Sequence, residues 1–366
     1  MARKLKPDKL LFFATLALLS ASVIMVYSAS ALLAMDRYAR PYHFLFRQVM
    51  WAVMGFGLLW GVMRVDYRRL KKPAVLSTAV GVTLLALVAV LFGDPINGTR
   101  RWFGIAGFGV QPSELAKIAL IMFAAAQLER RMDRVNDALY ALLPIGGLTA
   151  CLAALILLQP DFSTALTVVV IVAAMVFVAG LSYRYVVGAA LVLAPALYLV
   201  LSSAPYRMRR LLAFLDPWAD PLGDGFQVIQ SQIAVGTGGL VGLGLMRGLQ
   251  KLHFLPEPHT DFIYAVIAEE TGLLGATVIL LCFAIITWRG LLVACHAPDR
   301  FGAFLAIGLT TMVAMQAFIN MSVVLGLLPT TGIPLPFVSA GGSSLLIGLI
   351  GMGILLNVSQ HAALRR

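Results

Sequence analysis

The stretch AVLSTAVGVTLLALVAVLFG, residues 74–93, contains no charged residue and no proline. A transmembrane helix needs about 20 consecutive, predominantly apolar residues, so this stretch is long enough to cross a bilayer. Comparable runs recur along the chain, which predicts an all-α polytopic membrane protein. The ten predicted spans are 10–34, 44–63, 74–93, 113–128, 139–158, 163–181, 185–202, 273–295, 301–326 and 341–360.

The composition supports the same fold class. The chain has 366 residues, of which 60% are hydrophobic and 12% charged, and its mean hydropathy is +0.90. A soluble domain is roughly half apolar and about a quarter charged. These values exclude a soluble enzyme and a disordered chain. Its three cysteines (Cys151, Cys282 and Cys295) lie in apolar runs and indicate no disulfide framework. We predict one transmembrane domain over residues 1–366.

The distribution of charge predicts the orientation. With ten spans both termini lie on one side, and placing them inside puts 17 of the 28 Lys and Arg residues in cytoplasmic segments. The acidic residues divide as 6 inside and 11 outside, so the net charge is +11 inside and 0 outside. Because basic residues accumulate in cytoplasmic segments, we predict that both termini are cytoplasmic. The basic N-terminus is interpreted as the flank of a first span, and not as a removable signal peptide.

The longest predicted outer segment is residues 203–272. Long loops that carry mixed charge are seldom simple connections. This one includes the candidate cations Arg207 and Arg210. We therefore expect it to contain part of a functional site.

Two adjacent arginines and a tryptophan lie after the third predicted span, in NGTRRW at residues 97–102. Arg100 and Arg101 are suited to an anionic phosphate, and Trp102 offers a flat apolar face to a sugar ring. Arginine and tryptophan also favour the headgroup zone of a membrane. An interfacial anchor is therefore the alternative interpretation.

Charged residues also lie at the starts of two later spans. In QPSELAK, residues 111–117, Pro112 indicates a helix start, and Glu114 and Lys117 share one helical face. An ion pair there is either structural or functional, and the sequence leaves both open. In QPDFST, residues 159–164, Asp161 either caps the sixth span or serves the site.

The strongest candidate is LPEPHTDF at residues 255–262, which precedes a helix. Thr260 or Asp261 is expected to open that helix. A partly desolvated carboxylate at the membrane rim is expected to have a raised pKa suited to a general base, which would give Asp261 a catalytic role. The alternative interpretation is a helix cap followed by solvated acidic residues. His259 and Glu269 lie nearby in sequence and are candidates for binding substrate.

Two other kinds of site are not favoured. His253, His259 and Asp261 do not follow the ligand spacing of a zinc site. The glycine-rich stretch 236–244 lacks both the dinucleotide and the Walker spacing. We interpret these glycines as allowing flexible backbone and close approach.

Together these segments resemble the SEDS family of bacterial cell-wall proteins, the RodA/FtsW group. The resemblance extends from about residue 10 to 358. Phe162-Ser163 and Ala340 depart from the family pattern. The segments that carry the resemblance are 97–102, 111–117, 159–165, FLDPWADPLGDGFQVIQSQIAVGTGGL (214–240), LPEPHTDFIYAVIAEETGLLG (255–275) and GLLPTTGIPLPFVSAGGSSLL (326–346).

The resemblance implies ten transmembrane helices, a large outer loop between the seventh and eighth, and polymerisation of lipid II outside the bacterial cytoplasmic (inner) membrane. The family's essential aspartate falls on Asp261, and its ion-paired residues fall on Glu114 and Lys117. We expect Asp261 to be the general base. The pyrophosphate is assigned to some of Arg100, Arg101, Lys117, Arg207 and Arg210. The other candidates for substrate contact are Trp102, Glu114, Asp161, His259 and Glu269.

The implied partners are undecaprenyl-linked glycan, membrane lipids and a class B penicillin-binding protein, with no nucleic acid. A divalent cation, Mg²⁺ or Mn²⁺, that bridges Asp261 and the pyrophosphate is the one cofactor left open. Residues 25–30 and 341–344 favour an FtsW-type over a RodA-type member. The alternative functions are a lipid II flippase and a membrane scaffold for cell-wall synthases.

Overall fold

In a computed structural model the chain folds into a bundle of α-helices. The structure describes residues 6–95, 98–105, 108–202, 205–252 and 254–362. The helices are α1 Lys9–Tyr38, α2 His43–Arg64, α3 Pro73–Leu91, α4 Pro112–Arg131, α5 Leu143–Leu158, α6 Phe162–Val178, α7 Tyr183–Ser202, α8 Pro205–Leu215, α9 Phe226–Gly238, α10 Ile263–Cys295, α11 Arg300–Val324 and α12 Gly342–Ser359.

A helix lies over each of the ten predicted apolar runs. Within the described residues, seven helical segments are long and apolar enough to cross a membrane. They are α1, α2, α3, α10, α11, α12 and α5 together with the π-helical turn that precedes it. Helix α6 is apolar but has only 17 residues. The helical membrane class is confirmed, and the count of ten spans stays a prediction.

One short β-hairpin departs from the all-α prediction. Strand β1 (Phe103–Ile105) pairs antiparallel with β2 (Phe108–Val110), and Phe103 lies opposite Val110. Aromatic and β-branched residues favour strands, but three-residue strands are too short to show a pattern in sequence. The hairpin fixes the chain between the arginine pair and the start of α4.

The segment 203–272 is more helical than the sequence predicts. It contains α8, α9 and the first turns of α10, which begins ten residues before the predicted span. Helix α10 is broken at Gly272, where φ is +64° and ψ is −166°. The loop after α9 approaches this break, and the Leu243 and Gly244 amides donate to the carbonyls of Glu269 and Glu270 at 3.0 and 2.9 Å. This confirms the close approach predicted for the glycine-rich stretch.

Helices α4, α11 and α12 carry much of the buried core. Small residues allow these helices to pack closely. Gly308 of α11 lies against Ile121, and Gly353 of α12 lies against the backbone of Leu59. Helices α4, α6, α10 and α12 all begin at the end of the bundle that carries Asp261. We call it the Asp261 end.

Candidate active site

A cavity of about 730 Å³ lies at the Asp261 end. It collects residues from the chain before β1, from the N-terminus of α6, from α8, from the chain before α10 and from the chain after α11. Four of the predicted site residues meet here. Its lining residues are Thr99, Arg101, Pro160, Asp161, Phe162, Ser163, Leu166, Arg210, Leu211, Asp261, Pro329, Thr330, Thr331 and Gly332.

Asp161 caps α6 and also lines the cavity, and a role in binding substrate stays a prediction. It is the N-cap of α6, and its Oδ1 accepts from the Thr164 amide at 3.1 Å. Its Oδ2 accepts from the Thr164 hydroxyl at 2.8 Å and from the Gln111 amide group at 3.0 Å. The predicted cap is confirmed. The same carboxylate lines the cavity. Because it already accepts three hydrogen bonds within the fold, few of its lone pairs are left for a ligand.

The guanidinium of Arg101 is held by backbone carbonyls. Its Nε donates to the Gln159 carbonyl at 2.7 Å, and its Nη2 donates to the Pro160 carbonyl. These bonds hold the cation beside the turn that carries Asp161. Positive charge is thereby fixed in the cavity, and Arg101 forms no ion pair with the described acidic residues.

Asp261 does not open the helix that follows it. The N-cap of α10 is Phe262, and no side chain caps it. The prediction that Thr260 or Asp261 caps this helix is therefore wrong. The Asp261 side chain instead lines the cavity, and a Cβ at Gly332 would lie 3.7 Å from its Oδ2.

The backbone that carries Asp261 is held by two other segments of the chain. The carbonyls of His259, Thr260 and Asp261 accept hydrogen bonds from the Ala340 amide (2.9 Å), the Ser339 hydroxyl (2.6 Å) and the Asn320 side-chain amide (2.8 Å). Asn320 and Ser339 are both buried. These contacts fix the direction in which Asp261 points.

Sequence reasoning missed Asn320 and Ser339, because they donate hydrogen bonds to backbone carbonyls 59 and 79 residues away, respectively. Thr331 was also missed. It lines the cavity, and its buried hydroxyl has no hydrogen-bond partner among the described residues. Ser339 and Thr331 do lie within the 326–346 segment that carries the resemblance, which was the available signal.

The environment of Asp261 raises the pKa of its carboxyl to about 7. Burial is the main cause, and the negative charges of Glu257 and Asp161 act in the same direction. Arg210 opposes them and lowers the pKa. A group with a pKa near the working pH is suited to proton transfer, because both of its forms are accessible.

Glu114 and Lys117 lie outside the cavity lining. Both side chains are buried, and they form an ion pair at 2.8 Å within the first two turns of α4. Breaking a buried pair leaves an uncompensated charge, which is strongly destabilising. The geometry thus favours a structural role, and direct contact of either residue with substrate stays a prediction.

Glu269 does not reach the cavity either. Its carboxylate is buried and accepts from the amides of Leu249 and Gln250 at 2.7 and 3.1 Å. The neighbouring Glu270 accepts from the Lys251 ammonium at 2.5 Å. The two glutamates clamp the loop after α9 onto α10, and this geometry does not support substrate binding by Glu269.

The other predicted contacts are spread around the Asp261 end. Arg100 is exposed, and its guanidinium donates to the Leu91 carbonyl at 3.2 Å. Trp102 and His259 line a second, smaller cavity. His259 is buried, and burial is the main cause that lowers the pKa of its imidazole. The side chain of Arg207 lies outside the described part of the chain.

Within the described residues, no three His, Cys, Asp or Glu side chains lie together so as to hold a metal ion. The divalent cation therefore stays a prediction. The cavity itself offers a carboxylate that exchanges a proton near neutral pH, with two guanidinium groups, Arg101 and Arg210, on the same walls. Such a site can deprotonate a hydroxyl while cations stabilise an anionic leaving group.

Comparison with known proteins identifies the family of this chain. A family model described as cell cycle protein, covering FtsW, RodA and SpoVE, matches residues 9–364. A probable peptidoglycan glycosyltransferase FtsW of Geobacter metallireducens is 45% identical over 356 residues, which are 97% of this chain and 95% of that protein. The stage V sporulation protein E of Bacillus subtilis is 42% identical, with 98% and 99% covered.

Solved structures share the fold. One, described as a peptidoglycan synthase complex that coordinates polymerization and crosslinking, superposes with a TM-score of 0.80 at 34% identity, and covers 96% of this chain and 97% of that one. The rod shape determining protein RodA of Thermus thermophilus gives a TM-score of 0.71 at 28% identity, with 98% of each chain covered. The chain belongs to the FtsW/RodA/SpoVE family of cell cycle proteins.

Proposed function

We propose that this chain is a peptidoglycan glycosyltransferase that polymerises lipid II into glycan strands. Lipid II is a disaccharide-pentapeptide on undecaprenyl pyrophosphate. The observation that carries the proposal is the cavity in which Asp261, with a pKa of about 7, shares the walls with Arg101 and Arg210. Relatives that are named peptidoglycan glycosyltransferases support it.

In the proposed reaction, Asp261 accepts the proton from the 4-hydroxyl of one lipid-linked sugar. The resulting oxygen nucleophile forms a bond to the anomeric carbon of a second lipid-linked sugar, and the bond from that carbon to the pyrophosphate oxygen breaks. A single displacement inverts the α-linked donor to a β-linked product. The electron pair leaves with undecaprenyl pyrophosphate.

Arg101 and Arg210 have the complementary role. The departing pyrophosphate gains negative charge in the transition state, and fixed cations stabilise that charge most where water is partly excluded. Arg101 is already oriented by two backbone carbonyls, so little reorganisation is needed. Arg100, Arg207 and Lys117 remain weaker candidates for this role.

The membrane arrangement follows from the charge pattern. We place the protein in the bacterial cytoplasmic membrane with ten spans, both termini in the cytoplasm and the Asp261 end outside. The excess of basic residues in segments such as 64–72 supports this orientation. The substrate carries a lipid tail, so the cavity has to be reached from the outer leaflet.

We also infer a partner that cross-links the new strand, a class B penicillin-binding protein. A solved relative is described as part of a complex that coordinates polymerization and crosslinking, which supports this inference. Relatives named FtsW at 43 to 45% identity favour a role of the FtsW type over the RodA type.

Purified protein with its co-purified partner, reconstituted with fluorescent lipid II, tests the proposal. We expect glycan polymer from the wild type and none above background from Asp261→Asn, with both variants folded. A flippase would instead move lipid II between leaflets without forming polymer, and a scaffold would do neither. Either result from folded wild-type protein would overturn the assignment.

A further inference from the structure

A second cavity of about 240 Å³ lies at the Asp261 end. The two cavities have no lining residue in common, and the proposed reaction does not use the second one. The residues that matter for its chemistry are Arg47, Trp51, Trp102, His259, Thr260 and Gly342. At about 30 Å³ per water molecule, it has room for about eight waters, or one small ring.

The two cavities share a wall made of neighbouring residues. Arg101 lines the first cavity and Trp102 the second, and likewise Asp261 lines the first and Thr260 the second. At both places, residues adjacent in sequence line different cavities. A molecule in the second cavity therefore lies one residue's width from the proposed reaction centre.

The indole rings of the second cavity are held in place by glycines. A Cβ at Gly109 would lie 3.1 Å from Cε3 of Trp102, and a Cβ at Gly342 would lie 2.3 Å from Nε1 of Trp51. Each indole thus packs directly on backbone. Rigid aromatic surfaces of this kind bind apolar faces at little entropic cost.

The cavity also contains an unsatisfied polar atom. His259 is 6% exposed, and its Nδ1 has no hydrogen-bond partner among the described residues. Its ring packs against Phe44 at a centroid distance of 4.7 Å, which fixes the imidazole. A buried polar atom without a partner is costly, so a ligand that supplies a hydroxyl or amide would satisfy it.

We propose that this second cavity binds a pyranose ring of the lipid-linked glycan, one that does not itself react. A pyranose has apolar C–H faces for the indoles and a rim of hydroxyls and amides for His259 and Thr260. This inference rests on the proposed function, since it names a subsite for that substrate.

The subsite has a kinetic signature. We expect contacts with the non-reacting ring to be equally strong in the ground state and the transition state. Losing them should then raise KM and leave kcat nearly unchanged. Loss of a group in the first cavity would lower kcat instead. The two cavities can therefore be told apart by kinetics.

The test uses N,N′-diacetylchitobiose as a soluble probe, titrated by saturation-transfer NMR against the full-length protein in detergent. We expect Trp102→Leu to weaken probe binding at least tenfold and to raise KM for lipid II, with kcat within about threefold. Trp218→Leu is the matched control, because Trp218 is 67% exposed and lines neither cavity. It should change neither value.

Two further variants keep the result interpretable. Gly109→Ala should displace the Trp102 indole slightly and weaken the probe less than Trp102→Leu does, which covers the case in which the larger change unfolds the protein. Asp261→Asn should still bind the probe although it makes no polymer. Unchanged probe affinity in folded Trp102→Leu and Gly109→Ala would overturn the subsite and leave the proposed function intact.

Discussion

Two aspartates, Asp299 and Asp261, each lie just before a long helix. Asp299 caps α11 through the Gly302 amide at 2.8 Å, and it also accepts from the Tyr67 hydroxyl at 2.5 Å and from Arg68 Nε at 3.0 Å. Burial acts to raise the pKa of Asp299, but these bonds outweigh it and the pKa lies below its usual value.

Asp261 presents the opposite case. Its helix is not capped by a side chain, its carbonyl is held by Asn320, and burial raises the pKa of the carboxyl to about 7. The comparison teaches that a carboxylate whose lone pairs are used by the fold stabilises structure. One that is fixed through its backbone, with its side chain left in a cavity, is available for proton transfer.

The largest expected effect is on kcat, and it should differ between substitutions of Asp261 and Asp161, which line the same cavity. Asp261→Asn should lower kcat for lipid II polymerisation about 10³-fold, as expected on loss of a general base. Asp161→Asn should retain the helix cap, since Asn is also a good N-cap residue, and should stay within about tenfold of the wild type. Initial rates with purified protein measure both.

The Asp261→Asn protein should also be at least as stable as the wild type above pH 7. A carboxyl with a raised folded-state pKa favours its protonated form, so stability falls as pH rises from the unfolded pKa towards 7, and the neutral amide avoids this loss. Thermal unfolding at pH 5 and pH 8 measures the difference. Lower stability of the variant at pH 8 would contradict the assigned environment.

A second effect concerns the cations. Arg101→Gln should lower kcat on the order of 10²-fold, the usual cost of losing one group that stabilises transition-state charge. Arg100→Gln is the matched control, because Arg100 is exposed and lies outside the cavity lining. Equal losses of kcat in the two variants would contradict the assignment of the pyrophosphate to Arg101.

Substitutions that loosen the backbone next to Asp261 should lower kcat by a smaller factor. Ser339→Ala removes the hydroxyl that holds the Thr260 carbonyl at 2.6 Å, and we expect kcat to fall about tenfold with KM little changed. Ser30→Ala removes a buried hydroxyl that donates to the Val26 carbonyl within α1 and should leave kcat unchanged. If both serines behave alike, Ser339 has only a structural role.

Asp299→Asn should affect activity least. It weakens the bonds from Tyr67 and Arg68, and the free energy of unfolding should fall by about 1–3 kcal/mol while polymerisation at permissive temperature continues. Chemical or thermal unfolding in detergent measures the loss. A severe loss of kcat in folded protein would show that the contrast between the two aspartates is wrong.

Sequence alone predicted much of this arrangement. The apolar runs located the helices because bilayer thickness fixes their length, and the family resemblance, now confirmed, pointed to Asp261. Arg101, Asp161 and Arg210 were also predicted, and the structure brings them to one cavity.

The remainder depends on contacts between distant segments. The break of α10 at Gly272 lies where the loop after α9 donates amides to the carbonyls of Glu269 and Glu270. Amides of the same loop donate to the Glu269 carboxylate, which we predicted from the sequence to contact substrate. Asn320 donates to the Asp261 carbonyl 59 residues away and to the Ile333 carbonyl, and no local sequence pattern indicates such bonds.

The pH dependence of kcat/KM for lipid II polymerisation tests the central claim most directly. The base must be deprotonated, so the rate should rise about tenfold per pH unit and level off above an apparent pKa of about 7. Arg210→Gln should move this inflection to higher pH, and Asp161→Asn to lower pH. An inflection near pH 4, or one that neither variant moves, would contradict the assignment of Asp261 as the base in this cavity.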